Sequence, residues 1–170
     1  MKKELELLQG VMRDYGVAIC IVPTNDFHGS EYINEYFRSR QFISGFTGSA
    51  GTLVVCEDSA YLWTDGRYFL QASLQLKESG IELMKTGEPG VPEIDEFLEK
   101  NLKRSDVLAF DGRVLACRIG DRYKQIADKC GAITKFDIDL PDLVWTERPK
   151  LLGNSIWALP ETSYGEPFEE

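Results

Sequence analysis

Phe42-Ile43-Ser44-Gly45-Phe46-Thr47-Gly48-Ser49-Ala50-Gly51-Thr52-Leu53-Val54-Val55 and, a little further on, Leu62-Trp63-Thr64-Asp65-Gly66-Arg67-Tyr68-Phe69 decide how this chain is read. The first stretch is a glycine-dense turn that runs directly into an apolar, β-branched segment, Thr52–Cys56. The second contains another such segment, Tyr61–Thr64. Glu57-Asp58-Ser59-Ala60 separates them and has the length and polarity of a tight hairpin connection. An antiparallel strand pair is therefore expected mid-chain. Its second strand leads into a turn that carries Arg67 among three aromatic side chains, Trp63, Tyr68 and Phe69.

Working outward, Leu5, Leu8, Val11 or Met12, and Tyr15 recur at helical spacing, so an amphipathic helix is expected over 2–15, stopped by Gly16. Val17–Val22 is dense, β-branched and too short for a helix. It reads as a buried strand ended by Pro23. Thr24–Arg40 is polar and aromatic, with one short helix expected around Glu31–Phe37. Tyr68–Glu78 fits a helix for which Asp65 is a candidate cap. Ile81–Met84 fits a strand. Pro92 is suited to the first position of a helix carried by Ile94, Phe97, Leu98 and Leu102. Val107–Phe110 reads as a strand, Leu115 to Cys130 as a helix stopped by Gly131, and Ile133–Phe136 as the last strand. The fold class expected is α/β: a mixed sheet of about six strands flanked by helices, because hairpin and crossover connections both occur. The domain is expected over 1–140. Residues 141–170, with four prolines and no periodicity, read as a linker toward a second domain missing from this chain.

Composition narrows the function classes. The chain has 170 residues, 43% apolar and 28% charged, with a net charge of −9. One domain with a real core is expected. The acidic balance argues against a nucleic-acid surface and against docking on anionic lipid. No apolar run approaches a membrane span, and Met1-Lys2-Lys3-Glu4 is not followed by the apolar stretch of a signal peptide. Cys20, Cys56, Cys117 and Cys130 are scattered with no CxxC. Reduced thiols in the cytoplasm are the expectation. Cys117 and Cys130 share a helix but fall on different faces.

Few constellations carry chemistry. His28 is the sole histidine, and Asp137-x-Asp139 has no partner spacing for a metal site, so both aspartates read as solvated loop residues. No G-x-S-x-G elbow accompanies Ser44, Ser49 or His28. Gly45-x-x-Gly48-x-x-Gly51 invites a phosphate-cradle reading, but such a loop needs a helix N-terminus behind it, and here a strand follows. Close backbone packing and positive φ are the plainer reasons for those glycines. Arg67 presents a planar fork suited to a carboxylate. The competing reading is a salt bridge, perhaps with Asp65.

Three segments then carry a family resemblance: Asp26-Phe27-His28-Gly29-Ser30-Glu31-Tyr32; Arg40-Gln41-Phe42 continuing through Gly51; and Leu62 through Ala72. Leu83-Met84-Lys85 with Gly87 and Leu143-Val144-Trp145-Thr146-Glu147-Arg148-Pro149 agree with them. Together they resemble the N-terminal domain of long-form Xaa-Pro aminopeptidases, over roughly residues 3–165. The resemblance implies the creatinase/prolidase N-terminal fold, of ribonuclease-H-like topology. It implies a parent hydrolase that releases the N-terminal residue before proline, using two divalent metals, usually manganese, in a C-terminal domain. No catalytic residue and no metal ligand carries over to this chain. Arg67 and Phe46 match the family's WTDGRY and GFTGSAG motifs, and His28 and Tyr68 share their neighbourhood. These four are expected at the substrate entrance or a homodimer interface. The expected partners are the parent's own C-terminal domains and a peptide with proline at its second position. A second class is a free-standing, catalytically dead interaction module for a basic protein, testable by charge reversal at Glu166, Glu169 and Glu170.

Overall fold

A computed structural model describes residues 2–151, 153–155, 157–160 and 163. The acidic test positions Glu166, Glu169 and Glu170 lie outside the described residues.

Six strands form one sheet: β1 (Ile19–Pro23), β2 (Thr52–Cys56), β3 (Ala60–Thr64), β4 (Ile81–Lys85), β5 (Val107–Phe110) and β6 (Ile133–Lys135). Their spatial order is β4-β3-β2-β1-β5-β6. The hairpin pairs antiparallel as anticipated, with Leu53 opposite Leu62 and Val54 opposite Tyr61. β1 runs antiparallel to β2. The other three ladders, β3–β4, β1–β5 and β5–β6, are parallel. The sheet is therefore mixed.

Both faces are covered, which is why its central strands read as continuous apolar runs rather than alternating ones. On one face Cys20, Val22, Leu53, Val55 and Leu62 meet Leu5, Leu8 and Met12 of α1 (Lys3–Asp14), Ile43 of α2 (Ser39–Ser44) and Ala72 of α3 (Phe69–Gln75). On the other, Ile19, Ile21, Val54, Trp63, Leu108 and Phe110 meet Phe97 and Leu98 of α4 (Ile94–Asn101) and Tyr123, Ile126 and Ala127 of α5 (Cys117–Cys130). Neighbouring residues of β1 and β2 point to opposite cores, the period-2 geometry of a strand.

Four local expectations need correction. The short helix expected at Glu31–Phe37 is a single 3-10 turn, Glu35–Phe37, and the true α-helix lies immediately after it, at α2. Asp65 does not cap α3: its carboxylate is taken by Arg67. Pro92 lies outside α4, and its carbonyl accepts the Trp63 indole N–H at 2.8 Å. Asp139 is not a solvated loop residue: its side chain is 11% exposed and bound by Arg148 and Arg113.

The segment after residue 140 begins as a docked strap. Leu140 and Pro141 are buried in a 3-10 turn. Trp145 stacks on Phe42 with centroids 4.6 Å apart and planes 6° from parallel. Arg148 reaches back to the Tyr36 carbonyl at 2.9 Å and the Ser39 hydroxyl at 3.1 Å. The strap thus covers α2, the helix that carries the glycine turn.

Candidate functional site

The glycine turn begins where α2 ends. Gly45 takes a left-handed conformation, φ 75°, which lets the chain reverse after Ser44. Phe46 then enters the core and is wholly buried. The Ser44 hydroxyl donates to the Arg40 carbonyl and accepts the Phe46 N–H, which fixes the turn from inside. Gly48 is required for a steric reason. A Cβ there would lie 2.3 Å from Cζ of Phe46 and 2.8 Å from Cδ1 of Tyr68. The backbone is wedged between two rings, themselves 5.9 Å apart and edge-to-face. α3 grips the same turn from outside: Gln75 accepts the Thr47 N–H, and the amides of Gln71 and Gln75 both donate to the Thr47 hydroxyl. Ser49 and Tyr68 join hydroxyls at 2.6 Å. No helix follows the glycines, because β2 begins at Thr52.

The WTDGRY turn lies across Tyr68 from this loop. The Arg67 Nε and Nη2 both donate to Asp65, each at 2.8 Å, and the guanidinium carbon stands 5.3 Å from the Tyr68 ring centroid. The pair is open to solvent, with side chains 71% and 40% exposed. The hydrogen bonds from Arg67 hold the Asp65 carboxyl down at about 2. Of the two readings open for Arg67, the aspartate salt bridge is therefore present, and the guanidinium is still presented to solvent.

The structure brings Phe46, Tyr68 and Arg67 into one stack, from core to surface. Phe46 supports that stack from beneath and offers no surface to a ligand. His28 stands apart, exposed on a loop whose turn is made by Asp26, which accepts the His28 and Ser30 N–H groups at 2.9 and 3.0 Å. Among the described residues no hydrogen bond ties His28 to the other three.

Sequence reasoning missed Arg40. It is 3% exposed and lies at the centre of the loop. Its Nε donates to the Thr24 hydroxyl at 2.8 Å, and its Nη1 and Nη2 donate to the carbonyls of Phe46 and Gly48. Burial pulls its pKa down to about 10. An arginine is ordinarily a surface residue, so nothing in the chain's patterning marked this one as internal.

The donor set for a metal is not assembled here. Among the described residues no group of three or more His, Cys, Asp or Glu side chains is placed to hold an ion. The two metals implied by the resemblance do not fit the described residues of this chain. All four cysteines are free, with Cys20 buried and Cys117 exposed. No helix among the described residues is long and apolar enough to cross a membrane.

A mixed six-stranded sheet covered by helices on both faces, with a ring-wedged glycine turn beside an exposed arginine, defines an α/β domain. The Creatinase/Prolidase N-terminal domain family matches residues 5–143, and the chain belongs to that family. It is 40% identical over 170 residues to a protein named probable Xaa-Pro aminopeptidase P from Coprinopsis cinerea, covering 99% of this chain and 27% of that one. It is 43% identical over 144 residues to aminopeptidase P2 of Arabidopsis thaliana, covering 79% of this chain and 19% of that one. An X-prolyl aminopeptidase structure from Caenorhabditis elegans, described as a cytosolic enzyme with a di-nuclear active site, superposes with a TM-score of 0.84 at 31% identity. It covers 96% of this chain and 28% of that one. The N-terminal domain of the cytoplasmic peptidase PepQ from Mycobacterium tuberculosis shares the fold, with a TM-score of 0.60 at 19% identity over 85% of this chain and 99% of that one. The chain thus spans about a quarter of the length of the Coprinopsis and Caenorhabditis relatives.

Proposed function

We propose that this chain is the non-catalytic N-terminal domain of a Xaa-Pro aminopeptidase, and that it shapes the substrate entrance and supports a homodimer of the parent enzyme. One observation carries the reading. The chain matches the family's N-terminal domain and aligns over 99% of its length with 27% of such a relative, and its WTDGRY turn packs on the glycine turn, with Arg67 displayed on Tyr68 and Tyr68 braced by Phe46 and Ser49. The parent reaction is release of the residue before proline from a peptide. Its two metals, manganese by the family's habit, belong to a further domain, and the parent is cytoplasmic, in keeping with the cytosolic Caenorhabditis relative.

Arg67 suits the entrance physically. A guanidinium oriented by an aspartate and a tyrosine face keeps donors free for a peptide carboxylate or carbonyl while losing little side-chain freedom on binding. The purified chain supplied with manganese and an Xaa-Pro-Xaa tripeptide is expected to release no amino acid. In an enzyme in which this domain is joined to its catalytic part, Arg67→Ala is expected to raise KM for the tripeptide and leave the thermal midpoint unchanged. Metal-dependent turnover by the chain alone would overturn the proposal.

A further inference from the structure

Arg40 has more charge than its surroundings answer. Its three hydrogen bonds go to neutral acceptors: one hydroxyl and two carbonyls. Among the described residues no carboxylate forms an ion pair with it, although the structure pairs arginines with aspartates at Arg67, Arg113, Arg122 and Arg148. A guanidinium has five N–H donors. Three are used, so one on each terminal nitrogen has no partner among the described residues. Its guanidinium carbon also stands 4.8 Å from the Phe46 ring centroid. A buried cation answered by dipoles and one ring face, with no carboxylate, is costly unless something else compensates it.

The surroundings include room for that compensation. Arg40 lines a cavity of about 250 Å³ between the Thr24–Arg38 loop and the glycine turn. Arg38 stands on its wall, with Tyr32, Ser49 and Gln41 as further polar groups. Glu31 is the one carboxylate on the wall. Two cations therefore face the cavity against one carboxylate. The fixed elements are rigid: the two carbonyls belong to the wedged turn, and the Thr24 hydroxyl is itself held by the Gly51 carbonyl at 2.8 Å.

We infer that this cavity binds a small oxyanion of carboxylate type, seated against the Arg40 guanidinium with Arg38 closing over it. Planar two-oxygen groups match the fork of an arginine, and a site with its donors already fixed loses little on binding. The inference goes beyond the entrance role proposed above and does not depend on a catalytic domain. The anion has two possible sources, a free small acid or the carboxylate end of a peptide.

The test is NMR on the whole chain, following the Arg40 Nε–H resonance that Thr24 holds in place. Acetate is titrated against chloride at equal ionic strength, and an acetylated dipeptide acid is titrated against its amide. A saturable shift at Arg40 with acetate, absent with chloride, is expected, while Arg67 Nε–H stays still. Arg38→Gln should weaken the binding roughly two- to fivefold, the scale of one exposed ion pair, and Glu31→Gln should tighten it by a similar factor. Arg40→Lys, which keeps the charge but loses the fork, should abolish it; the wild-type titration stands even where that variant fails to fold. A peptide acid that binds more tightly than acetate, with its amide silent, identifies a peptide end as the source. Equal binding of the two acids identifies a free acid. A shift that grows linearly without saturating, or one of equal size at Arg67, or binding unchanged in both Arg38→Gln and Glu31→Gln, overturns the inference.

Discussion

Arg67 and Arg148 each sit against an aspartate with a tyrosine ring under the guanidinium, yet the two regions do opposite things with the same chemistry. Arg67 and Asp65 are two residues apart and open to water. Arg148 joins residues from distant parts of the chain: Asp139 at 2.7 Å, Asp142 at 2.9 Å, the Tyr36 carbonyl and the Ser39 hydroxyl, with its guanidinium carbon 4.0 Å from the Tyr36 centroid. Its side chain is 7% exposed. Arg113 extends the cluster, bridging Asp139 at 3.3 Å to Asp111 at 2.8 Å. A local exposed pair adds little to stability because water competes for both partners. A buried pair holds elements together because removing one partner strands the other. The comparison teaches that residue type and partner do not reveal a role here. Burial and sequence separation do.

The largest expected effect lies in the buried region. Arg148→Ala should lower the unfolding free energy by up to about 3–5 kcal/mol, since it leaves Asp139 with Arg113 alone and removes the strap's hydrogen bonds to Tyr36 and Ser39. Urea denaturation reads this as a shift in midpoint. A loss below about 1 kcal/mol would mean the cluster is solvated in practice, and the contrast with Arg67 would collapse.

The glycine turn lies between the two extremes and sharpens the comparison. Gly48→Ala must push apart Phe46 and Tyr68, the rings that support the exposed pair. A cost of about 1–3 kcal/mol is expected, the usual scale for overpacking, together with altered Tyr68 ring resonances. Gly66→Ala is the control from the exposed turn itself. The nearest atom to a Cβ there is Phe69 Cε2 at 3.9 Å, so a change within about 0.5 kcal/mol is expected. Equal losses at the two glycines would show that the wedge does not govern the turn. Arg67→Ala should likewise leave the chain's own stability within about 0.5 kcal/mol, as measured by its thermal midpoint.

Much of this architecture was legible in the sequence, and the reasons for the rest are physical. All six strands were readable, because short β-branched runs between polar turns leave few alternatives. Their mixed pairing followed from the two kinds of connection. α2 was not readable: at six residues it spans under two turns, too few for a period to appear, and its apolar positions Phe42 and Ile43 merge into the glycine turn. The docking of Trp145 and Arg148 could not be read, because those contacts are purely tertiary. Within the candidate site, Arg67 could be singled out from its aromatic neighbours. The inward course of Arg40 could not, because no local pattern distinguishes a buried arginine from an exposed one.

The smallest effect is also the most direct test of how the exposed pair works. Asp65 has a folded-state pKa of about 2, lowered first by the side-chain hydrogen bonds from Arg67. An unfolded aspartate titrates near ~3.9. Because the folded value is the lower one, the pair's contribution is present above pH ~4 and is lost as the pH falls through about 2. With both side chains largely in water, that contribution is small in free energy, so the carboxyl itself is the better reporter. Carbon-detected NMR of Asp65 should show a midpoint near 2 in the native chain and a return toward ~3.9 in Arg67→Ala. Added salt should move the native midpoint upward, since an exposed pair is screened. A midpoint unchanged by Arg67→Ala would mean that the turn's backbone amides, not the guanidinium, hold the aspartate ionised. Arg67 would then be tethered by nothing stronger than its contact with Tyr68, and the WTDGRY turn would hold a mobile arginine instead of an oriented one.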